Sequence, residues 1–251
     1  MTQKVFWQDP YLTQLETSIT SVEGDNITVE RTIFYAFSGG QESDTGMIGG
    51  QPVYEARKDG QQIVYTLQPN HALKVGDQVM MYIDWERRYK LMRLHFAAEL
   101  VLELVYQQLG TITKIGAHIA GDKSRIDFAW EENIATLFPV ILEKAHSLIH
   151  ANHPIVSAFS DEANERRYWE IAGFAKVPCG GTHLKITGEV GEITLKRKNV
   201  GKGKERIEIY IGLSLTSPPG FLSKYWRGGE KRILKSPLHA MGRGFRGGVN
   251  A

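Results

Sequence analysis

Apolar positions alternate with polar ones through the first third of the chain and then recur at three and four. In "NITVERTIFYAF" (residues 26–37) β-branched and aromatic residues dominate, with alternation through Ile33, Tyr35 and Phe37, until the turn formers of "SGGQESDTG" interrupt. "PVYEARKDGQQIVYTL" follows, and its Asp59-Gly60 marks a hairpin. "LKVGDQVMMYID" predicts one more short strand pair. These signals predict a small antiparallel β-barrel domain over residues 1–86, with no internal repeat.

From "RRYKLMRLHFAAELVLELVYQQLG" onward Leu91, Leu94, Ala98, Val101, Leu102 and Val105 keep helical spacing, and Gly110 supplies a stop, which predicts a helix of about five turns. "SRIDFAW" reads as a strand, and "NIATLFPVILEKAHSLIHAN" as a helix that starts near or bends at Pro139. "SDEANERRYWEIAGF" reads as a further helix with acidic residues in its first turn, and "EITLKRKNV" and "RIEIYIG" as two final strands. The expected fold class is therefore α+β: a β-barrel domain, then an α/β two-layer sandwich over 87–213, then a basic Gly/Arg-rich tail over 214–251.

Composition narrows the class. A chain of 251 residues that is 42% hydrophobic can bury a core in two domains. No stretch approaches the roughly 18 apolar residues of a membrane span. The start has no basic region followed by an apolar run, and Cys179 is the only cysteine, so a cytoplasmic location is expected. The net charge of +2 is unevenly placed: residues 217–251 hold seven Lys/Arg against Glu230 alone, which leaves the tail at +6 and the rest at −4.

Two pairs carry candidate chemistry. Cys179 and His183 flank Gly180, Gly181 and Thr182, and the glycines let the backbone bring thiol and imidazole to one point. His95 and Glu99 lie four apart on the long helix and so share a face. Together they offer four groups of the kinds that bind zinc. Alternatives are an attacking Cys179 thiolate with His183 as base, or a buried thiol beside an unrelated imidazole.

"FYAFSGGQESDTGMIGG", "MRLHFAAEL", "GAHIAGDKSRIDF", "PCGGTHLKITGEVGEI" and "VGKGKERIEIYIG" resemble, in order and spacing, the editing region of alanyl-tRNA synthetases and their free-standing relatives, the AlaX proteins. The resemblance covers residues 5–213, and nothing resembles an aminoacylation domain, so a trans-acting editor is expected. It implies a zinc-containing hydrolase that deacylates mischarged alanine tRNA, chiefly seryl-tRNA. His95, Cys179 and His183 carry over as ligands. At the second helical position the family has histidine where this chain has Glu99, which is then either the fourth ligand or a general base beside a three-ligand site. Gln41 and Asp44 match the glycine-rich motif and imply substrate contact, while the same motif also reads as a hairpin connection.

Serine differs from alanine by one hydroxyl, and an apolar pocket rejects such an isostere by only about 100-fold. A second site with polar partners for that hydroxyl is therefore useful, and Gln41, Thr182 and the metal are the candidates. Lys198, Lys202, Lys204 and Arg206, in a segment that resembles the family's, imply tRNA contact, although a solvated hairpin has the same look. The tail's Gly-Arg spacing with Phe221, Tyr225, Trp226 and Phe245 suits further nucleic-acid contact or an inert terminus. The alternative function is a non-catalytic tRNA-binding or regulatory protein that keeps the editing fold with a weakened zinc site.

Overall fold

A computed structural model describes residues 1–110 and 112–212. The expectation for the basic tail lies outside the described residues. Apart from one short 3-10 turn (Val5–Trp7), the regular elements of the first part of the chain are strands: β1 (Gln3–Lys4), β2 (Gln14–Glu23), β3 (Asn26–Val29), β4 (Arg31–Thr32), β5 (Gly46–Ile48), β6 (Gln51–Pro52), β7 (Glu55–Asp59), β8 (Gln62–Thr66) and β9 (Gln78–Ile83). Seven of them form one antiparallel sheet in the order β6-β5-β9-β2-β3-β8-β7. The long β2 pairs with β9 over residues 14–18 and with β3 from Ile19 on, with an irregularity between Ile19 and Ser21 where it changes partner. Such a bulge bends a strand and sharpens its twist. Ile19, Ile27, Val29, Ile48, Ile63, Tyr65 and Met81 fill the concave side.

The hairpin β7–β8 forms as expected, turning on Gly60 at φ +57°. Two expectations fail. "LKVGDQVMMYID" yields the single strand β9, which finds its partners at a distance, in β2 and β5. Ile33 to Phe37 are buried up to Ala36 yet belong to no strand, because side chains take their backbone donors: Thr32 Oγ1 accepts from the Phe34 N–H at 3.0 Å, and Asp44 accepts from the Tyr35 N–H at 2.6 Å.

The helix α1 (Trp85–Leu109) is longer than its periodic core suggests, because Asp84 caps it by accepting from the Arg87 N–H. Gly110 ends it at φ +66°. It is buried nearly all round, including Arg88 and Arg93. Arg93 survives burial by donating to the carbonyls of Glu189, Val190 and Gly212. β10 (Thr113–Ile119), β11 (Ser124–Ala129), β15 (Ile193–Gly201) and β16 (Lys204–Ile211) make an antiparallel sheet in the order β10-β11-β16-β15, whose apolar face packs on α1 and on α2 (Phe138–His150).

The largest error of expectation concerns residues 160–174. They are no helix but part of a three-stranded sheet of β12 (Val156–Asp161), β13 (Arg166–Ile171) and β14 (Ala175–Pro178). Arg167, Trp169 and Ile171 are buried while their neighbours are not, a period of two that the acidic run before them obscures. His118 sits in β10. Among the described residues no helix is long and apolar enough to cross a membrane.

Candidate metal centre

α1 and the segment after β14 meet at one cluster. Cys179 extends the β13–β14 ladder by one bond, its N–H donating to the Arg167 carbonyl at 2.9 Å, and so its position is fixed by the sheet. His183 follows four residues later, buried, and its Nδ1 meets the Ser157 hydroxyl of β12 at 3.0 Å. That contact leaves Nε2 facing Cys179 Sγ at 3.3 Å, and His95 Nε2 approaches the same sulfur from α1 at 3.2 Å. The three donor atoms lie within 4.8 Å of one another. Ligand atoms of a tetrahedral zinc, at about 2.0–2.3 Å from the metal, stand about 3.5 Å apart, so the donor set and spacing fit such an ion.

Gly181 explains the glycine pair between the ligands. A Cβ there would fall 2.5 Å from His95 Cε1 and 3.1 Å from Gln41 Oε1. The residue is needed for close approach, since its backbone is not left-handed. Gly180 faces open space, and its carbonyl accepts from Trp7 Nε1 at 2.9 Å.

Glu99 stands one turn from His95. Its Oε2 accepts from Trp169 Nε1 at 3.1 Å, and its Oε1 lies 3.5 Å from His95 Nε2 and 3.7 Å from Cys179 Sγ. Burial alone disfavours charge at His95, but its contacts with Cys179 and Glu99 override it and push its pKa up. Burial likewise opposes the Glu99 carboxylate, and His95 with the Trp169 N–H holds its pKa well below the usual range. Burial pushes His183 far down, reinforced by the positive His95. The cluster thus draws positive charge to one position, met by the His95 proton, and keeps the other imidazole neutral, as a metal ligand must be.

The glycine-rich loop forms the facing wall. Ser38 and Gln41 close it by two backbone bonds, with Gly39 and Gly40 at φ +60° and +87°. It docks on the edge of β10, where Ile119 N–H donates to the Gly40 carbonyl at 2.8 Å and Glu42 N–H to the Ile119 carbonyl at 3.0 Å. A Cβ at Gly40 would meet the Ala117 carbonyl at 2.6 Å. Gln41 is thereby buried, and its Nε2 donates to Thr182 Oγ1 at 3.0 Å. Its Oε1 is buried with no hydrogen-bond partner among the described residues, as is His95 Nδ1.

The structure therefore brings His95, Glu99, Cys179, His183, Gln41 and Thr182 together. Asp44 sits behind the loop, accepting from Arg88 Nε at 2.9 Å, from Arg88 Nη2 and from the Tyr35 N–H. Lys198, Lys202, Lys204 and Arg206 lie on the β15–β16 hairpin, and Arg206 is held by Asp127 at 2.6 Å. His118 is about a third exposed beside Glu42, 3.4 Å away. Sequence reasoning missed Ser157, Trp169 and Arg88. The alternation Arg167-Trp169-Ile171 could have placed Trp169 on the inner face, whereas nothing local pointed to Ser157 or Arg88.

Two family models match the chain: class II (A) tRNA synthetases over residues 6–87, and the second additional domain of threonyl and alanyl tRNA synthetases over residues 169–208. Similar curated proteins include the alanyl-tRNA editing protein AlaX-M of Pyrococcus horikoshii, 33% identical over 84% of this chain and 98% of that protein, and AlaX-M of Methanosarcina mazei, 33% identical over 85% and 97%. The alanine–tRNA ligase of Ignicoccus hospitalis is 27% identical over 94% of this chain but only 29% of its own length.

Proposed function

The chain belongs to the AlaX-M alanyl-tRNA editing proteins, and from that premise we propose that it removes serine from mischarged alanine tRNA at the site between α1, the glycine-rich loop and the Cys179–His183 segment. It is an aminoacyl-tRNA deacylase. The observation that carries the seryl reading is the buried, unpartnered Gln41 Oε1. A seryl hydroxyl donates to such an acceptor, and an alanyl methyl leaves it unpaired, at a cost of about 1–3 kcal/mol. The hydrogen bond to Thr182 fixes the amide so that this oxygen is presented.

Zinc is the proposed cofactor: His95 Nε2, Cys179 Sγ and His183 Nε2 would hold it, and it would supply the positive charge that polarises an ester carbonyl. Ser157 holds the His183 ring in the orientation that leaves Nε2 free. Glu99 is read as the general base: Trp169 aims it, and Oε1, which faces the cluster, is the atom that accepts the proton of the attacking water. The proton then passes to the ribose oxygen that leaves. The competing role is a fourth ligand, for which the 3.5 and 3.7 Å contacts of Oε1 with the His95 and Cys179 donor atoms speak.

Asp44 serves the substrate indirectly, by clamping the loop that carries Gln41. Lys198, Lys202, Lys204 and Arg206 contact tRNA. The separate apolar clusters on either side of Asp84 support reading residues 1–86 as a β-barrel domain and 87–213 as a two-layer sandwich. The cytoplasm, where tRNA is charged, is the proposed location. Hydrolysis of seryl-tRNA(Ala) against alanyl-tRNA(Ala), before and after chelation, tests the reading. Selective and chelator-sensitive release of serine is expected. A protein that binds the tRNA yet hydrolyses neither ester belongs instead to the non-catalytic reading.

A further inference from the structure

We propose that the outer face of the sheet β10-β11-β16-β15 is the landing surface for the phosphate backbone of the acceptor-stem duplex. This rests on the deacylase reading above for the identity of the RNA, but not for its evidence of binding. Ile126, Phe128, Ile207 and Ile209 are buried against the apolar core. Their alternate neighbours therefore stand on the opposite face. Register places Arg125 and Asp127 of β11 beside Glu208 and Arg206 of β16, and these beside Lys196 and Lys198 of β15. Lys204 continues the row on β16, and Lys123 reaches onto it from the β10–β11 turn by its 2.7 Å contact with Glu208. Six cations thus share the face with two carboxylates, although residues 1–216 are together net acidic.

The cations of the face divide into those paired with a carboxylate and those without one. Asp127 holds both Arg125 and Arg206, and Glu208 holds Lys123. Lys196, Lys198 and Lys204 make no ion pair or hydrogen bond among the described residues, and all three are exposed. Arg197, between two of them in sequence, turns away and is locked onto Glu205 at 2.5 and 2.6 Å. Tyr210 stands on this face, with the ammonium groups of Lys196 and Lys123 at 4.9 and 5.8 Å. A sheet face with exposed lysines that no carboxylate holds suits phosphate contact.

Its place in the fold connects it to the site. Neighbouring strands lie about 4.8 Å apart, so β15 and β10 are about 14 Å from one another. β10 is the edge on which the loop bearing Gln41 docks. His118, paired with Arg125 across the sheet, is on the outer side of that edge, and its ring is 6.4 Å from Phe37, which is 54% exposed. A duplex on the face can therefore send its single-stranded end over His118 and Phe37 towards Gln41.

The test is binding of an uncharged hairpin RNA with the alanine acceptor stem, measured against salt, for the wild type and the double variant Lys196→Gln/Lys198→Gln. Each lost phosphate contact flattens the slope of log K against log salt by about 0.9, so a change of about 1.8 is expected. Lys58→Gln, an equal type of charge change on the N-terminal sheet, is the control and should leave the slope as it was. An unchanged slope in the double variant, or the same change per substitution in the control, overturns the proposal and returns the face to solvent or to an acidic protein. An equal loss for a single-stranded oligonucleotide ending in CCA also overturns it. Failure of the wild type to release serine while the slope result holds sinks the deacylase reading alone.

Discussion

Two buried acids stand on opposite sides of the cluster, and they differ in what their oxygens are doing. Asp44, behind the glycine-rich loop, has both oxygens taken: Arg88 grips them from α1, and the Tyr35 N–H adds a third bond. Glu99, on α1 itself, has one oxygen tied to Trp169, while the other meets the His95 nitrogen at 3.5 Å and the Cys179 sulfur at 3.7 Å, two donor atoms of the cluster itself. Both are shielded from solvent, and both match motifs that the sequence singles out. Burial and charge therefore do not mark chemistry in this molecule; an oxygen aimed at the cluster does. The same criterion separates Gln41, whose Oε1 is unpartnered, from Thr182, whose hydroxyl is taken by Gln41.

The comparison breaks most visibly at Asp44. Asp44→Ala leaves Arg88, which is fully buried, without its counter-charge, and removing one partner of a buried pair costs about 3–5 kcal/mol. Denaturant titration should show that loss, and the second change Arg88→Met should recover much of it. A single variant as stable as the wild type would mean that the clamp is not structural. Metal content of the folded fraction should be unaffected, because Asp44 touches none of the three donor residues.

Glu99→Gln is the matching change on the other side. It keeps the acceptor for Trp169 and removes basicity, so the general-base reading expects zinc retained and the deacylation rate down by about 10² to 10⁴. If Glu99 is a ligand, zinc affinity itself falls, and Glu99→His raises activity. Elemental analysis beside single-turnover rates decides between them.

The two histidines sharpen the point. His183 is oriented by Ser157, whereas His95 Nδ1 has no partner among the described residues and its ring is held by packing against Gly181. Ser157→Ala should weaken metal binding by about 10- to 100-fold, the usual cost of losing an orienting partner. Competition with a chelator measures it, and an affinity equal to that of the wild type would show that the hydroxyl contact is incidental.

What the sequence revealed follows the range of the interactions involved. His95 and Glu99 were legible because helical spacing is local, and Cys179 to His183 because two glycines and two donors fall within five residues. The resemblance joined the two pairs. Residues 160–174 misled, because the acidic turn before Arg166 imitates a helix start, while the evidence for β13 lies in its pairing with β12 and β14. The Arg88–Asp44 pair spans forty-four residues, and Ser157 and His183 meet across a sheet whose existence the helical reading denied. Side chains that orient other side chains leave no periodic trace.

The smallest expected effect is at Gln41, and it is also the narrowest test of the comparison. Gln41→Ala removes an unpartnered oxygen rather than a satisfied one, so the folded protein loses only the bond to Thr182, about 0.5–1.5 kcal/mol. The loop should persist, since Gly40 and Glu42 hold it to β10 through the backbone. What changes is discrimination: with no acceptor for the seryl hydroxyl, the preference for seryl over alanyl esters should fall by roughly 3- to 10-fold, the factor that corresponds to one hydrogen bond of that strength. Rates on both esters, measured with zinc content held equal, read it directly. If both fall together and the ratio survives, Gln41 positions the ester as a whole, and the seryl hydroxyl is recognised elsewhere. Thr182→Val then becomes the discriminating variant, because it frees the Gln41 amide from the one side-chain contact that fixes which of its ends faces the substrate.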